Sequence, residues 1–254
     1  MISVEEMMDA VKRPEIQALN LDAFSKNDIL NFALQRSEIL HDVPRSGRLI
    51  RAWSVGNPAP LLAHVEAQGD ELARRAAAII FLEYLQLKAT IDQISPTSVA
   101  DIGCGYAIFD LFLWKDQRCR ITLIDLEISD EKHFGFHEKG AAYSDLSVAK
   151  AFLTGNGVDP NDIECLNPKY DDVCDGPSID LAMSFISCGF HYPIDTYERF
   201  FRTRVSDDGK IILDLRARVA AQGIQELEDL GRVTVVTDAA RGSARRVLVE
   251  KDTG

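Results

Sequence analysis

Asp101, Gly103 and Gly105, in the stretch SVADIGCGYAIFDLF over Ser98–Phe112, are the residues whose types and spacing point most directly to chemistry. Two glycines one residue apart stand where a hydrophobic run gives way to a helical pattern, so the backbone sheds its side chains and lets a ligand approach. A strand ending in Asp101 and turning into YAIFDLFLWK aims backbone N–H groups and a helix N-terminus at that ligand. Two ligand classes use such a turn: dinucleotides through G-x-G-x-x-G, and S-adenosylmethionine through the tighter D/E-x-G-x-G-x-G/A. The third glycine of the dinucleotide pattern would fall at Ile108, whereas Ala107 supplies the small residue of the tighter pattern and Asp101 its leading acid. Asp125 closes the next strand, RITLID, where a carboxylate can accept both hydroxyls of a ribose lying across the strand ends. His191, in SCGFHYP, follows a later strand at the carboxyl end of the sheet, and a positioned histidine near neutral pKa suits proton abstraction.

These residues need a scaffold of alternating strands and helices, and the chain after Pro96 has that texture. The candidate strands are SVADI, RITLID, DIECLN, IDLAMSF, KIILDL, RVTVVTD and RRVLVEK, with helical patterns between most of them. Only AARGSA separates the final pair, too short for a parallel crossover, so the last strand is expected to run against the rest. The chain before Pro96 is helical. Ser3 and Glu6 are spaced as a capping box, a second helix is expected from near Ser25, and an apolar stripe runs from Asp70 through Leu72, Ala76, Ile79, Ile80 and Leu87. Between them, VPRSGRLIRAWSVGNPAP, interrupted by prolines and glycines, is expected to be a loop. The division is thus a helical cap over 1–95, for substrate or dimer contacts, and an α/β domain over 96–254.

Composition narrows the partners. The chain has 254 residues, 46% of them hydrophobic, and a formal net charge of −12, which would repel phosphate backbones and anionic lipid. Neither nucleic acid nor membrane is expected as a partner, and the N-terminal MISVEEMMDAVKRPE has no signal-peptide pattern, which favours the cytoplasm. Cys104, Cys119, Cys165, Cys174 and Cys188 contain no C-x-x-C pair and are expected to be reduced.

From about Ser98 to Lys251 the chain resembles the class I S-adenosylmethionine-dependent methyltransferases. VADIGCGYA resembles that family's first motif, ITLIDLE its acidic second strand, SIDLAMSFISCGFHYP its fourth motif, RVSDDGKIILDLR its turn into the fifth strand, and RVTVVTD…RRVLVEK its terminal hairpin. The resemblance implies an α/β fold, a doubly wound, seven-stranded, mostly parallel sheet with the last strand antiparallel, here with the N-terminal helical cap. It also implies S-adenosylmethionine as cofactor, on Asp101, Gly103, Cys104, Gly105, Ala107, Asp125, Leu126, Asn167 and Ser184, with the ribose on Asp125 and adenine near Asn167. Where family members acting on base amines or glutamine amides carry N/D-P-P-Y/F, this chain has SFISCGFHY. That moves the expectation to methylation of a small-molecule hydroxyl, on a sugar, polyketide or similar metabolite, with His191 as base.

Candidate substrate contacts are Arg51 and Trp53 in RSGRLIRAW, Tyr192 beside His191, and His133 and His137 in LEISDEKHFGFHEKGAAY, a connection longer than the family's usual one that could close over ligand. His133 and His137 are not read as metal ligands, since Gly135 lies between them and no H-E-x-x-H pattern is present. A homodimer through the N-terminal helices is compatible with their apolar stripe. The alternative function is a non-catalytic, S-adenosylmethionine-binding or scaffolding subunit, although a purely structural descendant would have no evident need to keep the acid-and-glycine turn.

Overall fold

The β-type runs form one seven-stranded sheet, in the order 3-2-1-4-5-7-6, within a computed structural model that describes residues 2–126 and 145–251. The strands are β1 (Ser98–Ile102), β2 (Arg120–Ile124), β3 (Ile163–Leu166), β4 (Ile179–Ser184), β5 (Val205–Arg216), β6 (Gly231–Ala239) and β7 (Ala244–Lys251). β1 is buried along its whole length, as its unbroken SVADI requires of a central parallel strand. All neighbours from β3 to β5 pair in parallel, while β7 lies antiparallel between β5 and β6. This is the doubly wound sheet with a reversed last strand.

Helices α1 (Val4–Val11), α2 (Pro14–Gln17), α3 (Lys26–Gln35), α4 (Gly47–Ser54) and α5 (Ala59–Ile94) precede β1. The helices α6 (Ile108–Gln117), α7 (Leu146–Gly155), α8 (Glu198–Thr203) and α9 (Ala220–Glu228) follow it. Capping boxes open α1 and α3: Ser3 with Glu6, and Ser25 with Asp28. Two expectations need correction. The stretch expected as a loop contains α4, which fits between Pro44 and Gly56 and buries Ile50. In addition, α5 starts at Ala59 rather than Asp70, because Pro60 is tolerated in a first helical turn. Gln68, at φ −136° and ψ 23°, kinks the helix where the sequence breaks its periodicity at Gly69.

One continuous core joins α1, α3, α5, α6 and α7 to Val99, Ile121, Leu181, Met183 and Ile212 of the sheet. A second core, on the opposite face, gathers Ala100, Ile102, Ala182, Ile211 and Leu213 under α8 and α9. Strand alternation assigns the charges: Asp214 lies two residues from Ile212, and Arg246 two from Leu248, so both face the N-terminal helices.

Candidate functional site

Gly103 and Gly105 both lie in the left-handed region, at φ +79° and +57°, but for different reasons. A Cβ on Gly103 would stand 2.4 Å from the Cβ and Oγ of Ser187, so the loop after β4 itself requires a glycine there. A Cβ on Gly105 would meet nothing within 4 Å, and Gly105 opens on a cavity. The turn's amides are partly committed within the protein. Gly103 N–H donates to the Ile124 carbonyl at 2.7 Å, and Gly105 N–H donates to Asp125 Oδ2 at 2.9 Å. Asp125 therefore braces the turn as well as facing the cavity.

Behind the turn, Asp101 meets Asp110 of α6, and both are buried. Burial first, then the Asp110 charge, pushes the Asp101 carboxyl well up; burial likewise pushes Asp110 up, to about 7. Two buried carboxyls in contact disfavour a state in which both are ionised, so the pair holds a proton. The folded chain keeps this proton to a higher pH than the unfolded chain does, and the associated stability is lost as pH rises from the ordinary aspartate range through the raised values. Asp110→Asn supplies a permanent donor, so its thermal midpoint should gain on the parent as pH rises from about 4 to about 8. A midpoint difference independent of pH would contradict the shared proton.

Tyr106, next in the turn, ties it to the helical segment. Its hydroxyl donates to Asp28 Oδ1 at 2.8 Å and accepts from Asn31 Nδ2 at 2.8 Å, and Asp28 is the same residue that caps α3. Tyr106→Phe removes the donor to a buried carboxylate and should cost about 1–3 kcal/mol in urea denaturation. A loss below about 0.5 kcal/mol would show that water replaces the phenol.

The cavity has a volume of about 1250 Å³ and continues from the glycine turn to the interval between the N-terminal helices and the sheet. Its first end is lined by Asp101, Gly103, Cys104, Gly105, Asp125, Leu126, His191 and Tyr192. The Tyr192 phenol is pushed up by burial and then by the Asp125 charge. Burial also pushes the Cys104 thiol well up, so it stays protonated. The second end is lined by Phe32, Arg36, Glu83, Phe109, Phe185, Asp214 and Arg246.

No family model matches the chain, and no curated protein matches it in sequence. Solved structures do match. Cofactor-bound Rv0187 from MTB aligns with a TM-score of 0.50 and 14% identity, over 84% of this chain and 99% of that one. Human N-acetylserotonin methyltransferase in complex with SAM aligns with a TM-score of 0.47 and 11% identity, over 90% of this chain and 72% of that one. The chain has the class I S-adenosylmethionine-dependent methyltransferase fold. A structure from Nostoc punctiforme PCC 73102, with a provisional O-methyltransferase assignment, aligns with a TM-score of 0.49 and 14% identity, over 71% of this chain and 59% of that one. The chain thus spans about three fifths of that protein's length.

Within this methyltransferase fold, several expected residues lie away from the cavity lining. Ser184 is fully buried, donating to the Ile102 carbonyl at 2.7 Å and accepting from Cys188 N–H at 2.8 Å, and so fixes the loop that carries His191. Asn167 accepts from Lys169 N–H at 3.1 Å and shapes the turn after β3; its neighbour Pro168 is the residue that lines the cavity. Ala107, at φ 57°, packs at the N-cap of α6. Arg51 and Trp53 belong to α4 and do not reach the cavity. His133 and His137 lie outside the described residues, as does most of the connection that carries them.

Sequence reasoning missed Asp110, Ser187, Arg36, Glu83, Asp214 and Arg246. Asp110 left a signal, as a lone charge in the apolar run IFDLFLW. Asp214 and Arg246 left another, as opposite charges inside KIILDL and RRVLVEK, the two strands expected near the end of the sheet. Arg36, just past the end of α3, and Glu83, on α5, have no local pattern to join them.

Proposed function

We propose that the protein transfers a methyl group from S-adenosylmethionine to a hydroxyl of a small-molecule acceptor. The observation that carries this reading is the continuous cavity at the glycine turn, which exceeds the roughly 300–1,000 Å³ of an ordinary ligand site and so has room for two molecules. The residues at its first end fit the cofactor: Gly105 leaves the main chain uncovered, Asp101 lines the cavity beneath the turn, and Asp125 stands at the end of β2. Asp101 and the Gly103–Gly105 turn would hold the amino-acid part, and Asp125 the ribose. When bound, S-adenosylmethionine supplies an electrophilic methyl group on a sulfonium centre.

The chain's own part is to align, to exclude water and to manage one proton. Methyl transfer from a sulfonium dissipates charge, so alignment outweighs electrostatic stabilisation. A hydroxyl acceptor must lose its proton during attack, and His191, on the loop clamped by Ser184, is the residue we assign to take it. Tyr106 bridges turn and helical segment, which keeps the two ends of the cavity in one frame. The acidic chain favours a small acceptor over nucleic acid.

Incubation with S-adenosylmethionine and a panel of hydroxylated metabolites, read as S-adenosylhomocysteine released, tests this. Acceptor-dependent release is expected. Binding of the cofactor without release on any hydroxyl, amine or thiol acceptor would favour the non-catalytic subunit instead.

A further inference from the structure

Ile186 has φ +58°, in the left-handed region, where a β-branched side chain is a genuine outlier. Such strain persists only where the surrounding structure over-determines the backbone, and it gathers at active sites and ligand clamps. The loop after β4 is held in this way. Cys188 N–H donates to Ser184 Oγ at 2.8 Å, the main chain of Phe190, His191 and Tyr192 donates to the Ser187 carbonyl, and Gly189 N–H donates to the Tyr192 carbonyl at 2.8 Å. Successive side chains of an extended strand point to opposite faces. The left-handed turn at Ile186 breaks that alternation, and Phe185, Ile186 and Ser187 all line the cavity.

Ser187 is the residue that this turn brings to the site. Its Cβ and Oγ both stand 2.4 Å from the point that a Cβ on Gly103 would occupy, so its hydroxymethyl group fills the space of the side chain that Gly103 lacks. Ser187 is half-buried, its hydroxyl is not enclosed, and among the described residues that hydroxyl makes no hydrogen bond. The main chain of the loop is therefore committed within the protein, while the hydroxyl above the glycine turn is left for a ligand.

The surroundings select the ligand group. Gly103, Gly105 and Ala107 N–H already donate to the Ile124 carbonyl, Asp125 Oδ2 and the Cys104 carbonyl. Asp101 and Asp125 line this end, and the described residues named above as lining it include neither lysine nor arginine. An ammonium group meets acidic surroundings here, whereas a carboxylate needs a donor, and a serine hydroxyl supplies one. On the reading that puts the amino-acid part of the cofactor at the glycine turn, we propose that Ser187 is a cofactor-binding residue whose hydroxyl donates to the α-carboxylate of S-adenosylmethionine.

The test is calorimetry of the full chain with three ligands. S-adenosylhomocysteine carries both charges of the amino-acid end, S-adenosyl-3-thiopropylamine lacks only the carboxylate, and 5′-methylthioadenosine lacks both. Ser187→Ala keeps the Cβ that packs on Gly103 and removes only the hydroxyl, so the thermal midpoint of the unliganded variant should match the parent's. The variant should bind S-adenosylhomocysteine about tenfold or more weakly, as expected for a lost hydrogen bond to a charged group, and should bind the other two ligands as the parent does. A loss shared by the amine analogue would overturn the proposal by giving the hydroxyl to the ammonium, and an equal loss on all three would overturn it by marking a change of shape. A parent that binds all three, beside a variant unchanged on all, removes the role of Ser187 alone. A parent that binds none removes the cofactor reading and this role with it.

Discussion

Gly105→Ala should fold and lose cofactor affinity, whereas Gly103→Ala should lose stability first. At Gly105 the new methyl group meets no atom of the protein within 4 Å and points into the cavity, so the fold bears only the left-handed backbone, at about 1–2 kcal/mol. A ligand that lies against the main chain there must move away, and S-adenosylhomocysteine should bind about tenfold or more weakly. At Gly103 the methyl group would overlap Ser187, and overpacking added to backbone strain predicts a loss of about 2–5 kcal/mol. Denaturation curves and calorimetry on both variants separate the two roles. Equal affinity in Gly105→Ala and the parent would mean that the turn serves only the fold.

His191→Ala should spare cofactor binding and lower kcat by roughly 10²–10⁴, the range ascribed to a positioned general base. The main-chain bonds that hold the loop remain in the variant: Ser184 Oγ accepts from Cys188 N–H, and the Ser187 carbonyl accepts from the main chain of Phe190, His191 and Tyr192. Comparison of kcat with the S-adenosylhomocysteine affinity of the same variant is the decisive reading. An unchanged kcat on a hydroxyl acceptor removes His191 from the chemistry and moves attention to Tyr192, which lines the same end of the cavity.

The strands were legible because a parallel sheet buries whole strands, and runs such as RITLI and IDLAMS have no other use in a chain of this charge. Their order in the sheet was not legible; the family resemblance implied only seven strands with the last antiparallel. Missing α4 has a plain cause: prolines and glycines crowd its flanks at Pro44, Gly47, Gly56 and Pro58, and the eye takes punctuation for the whole segment. The glycine turn was found for a reason that is half right. Gly105 does open toward a cavity, but Gly103 is demanded by Ser187, a contact between segments more than eighty residues apart that no local pattern encodes. Keeping Gly103 is therefore not in itself a sign of ligand binding, and the case for the cofactor stands on Gly105, Asp101, Asp125 and the cavity. The charged wall at the other end was invisible for the same reason, since Arg36 just past α3, Glu83 on α5, Asp214 on β5 and Arg246 on β7 each contribute one side of an ion pair.

The central claim is that the cavity at the glycine turn is built for S-adenosylmethionine, and direct calorimetric titration tests it with the fewest intermediate assumptions. The purified protein would be titrated with S-adenosylmethionine, S-adenosylhomocysteine and NAD under one buffer condition. Saturable binding of both adenosyl ligands in the micromolar range, with no heat from NAD, is the predicted result. Silence from both adenosyl ligands, or binding of NAD in their place, would contradict the account and leave the methyltransferase fold as architecture alone.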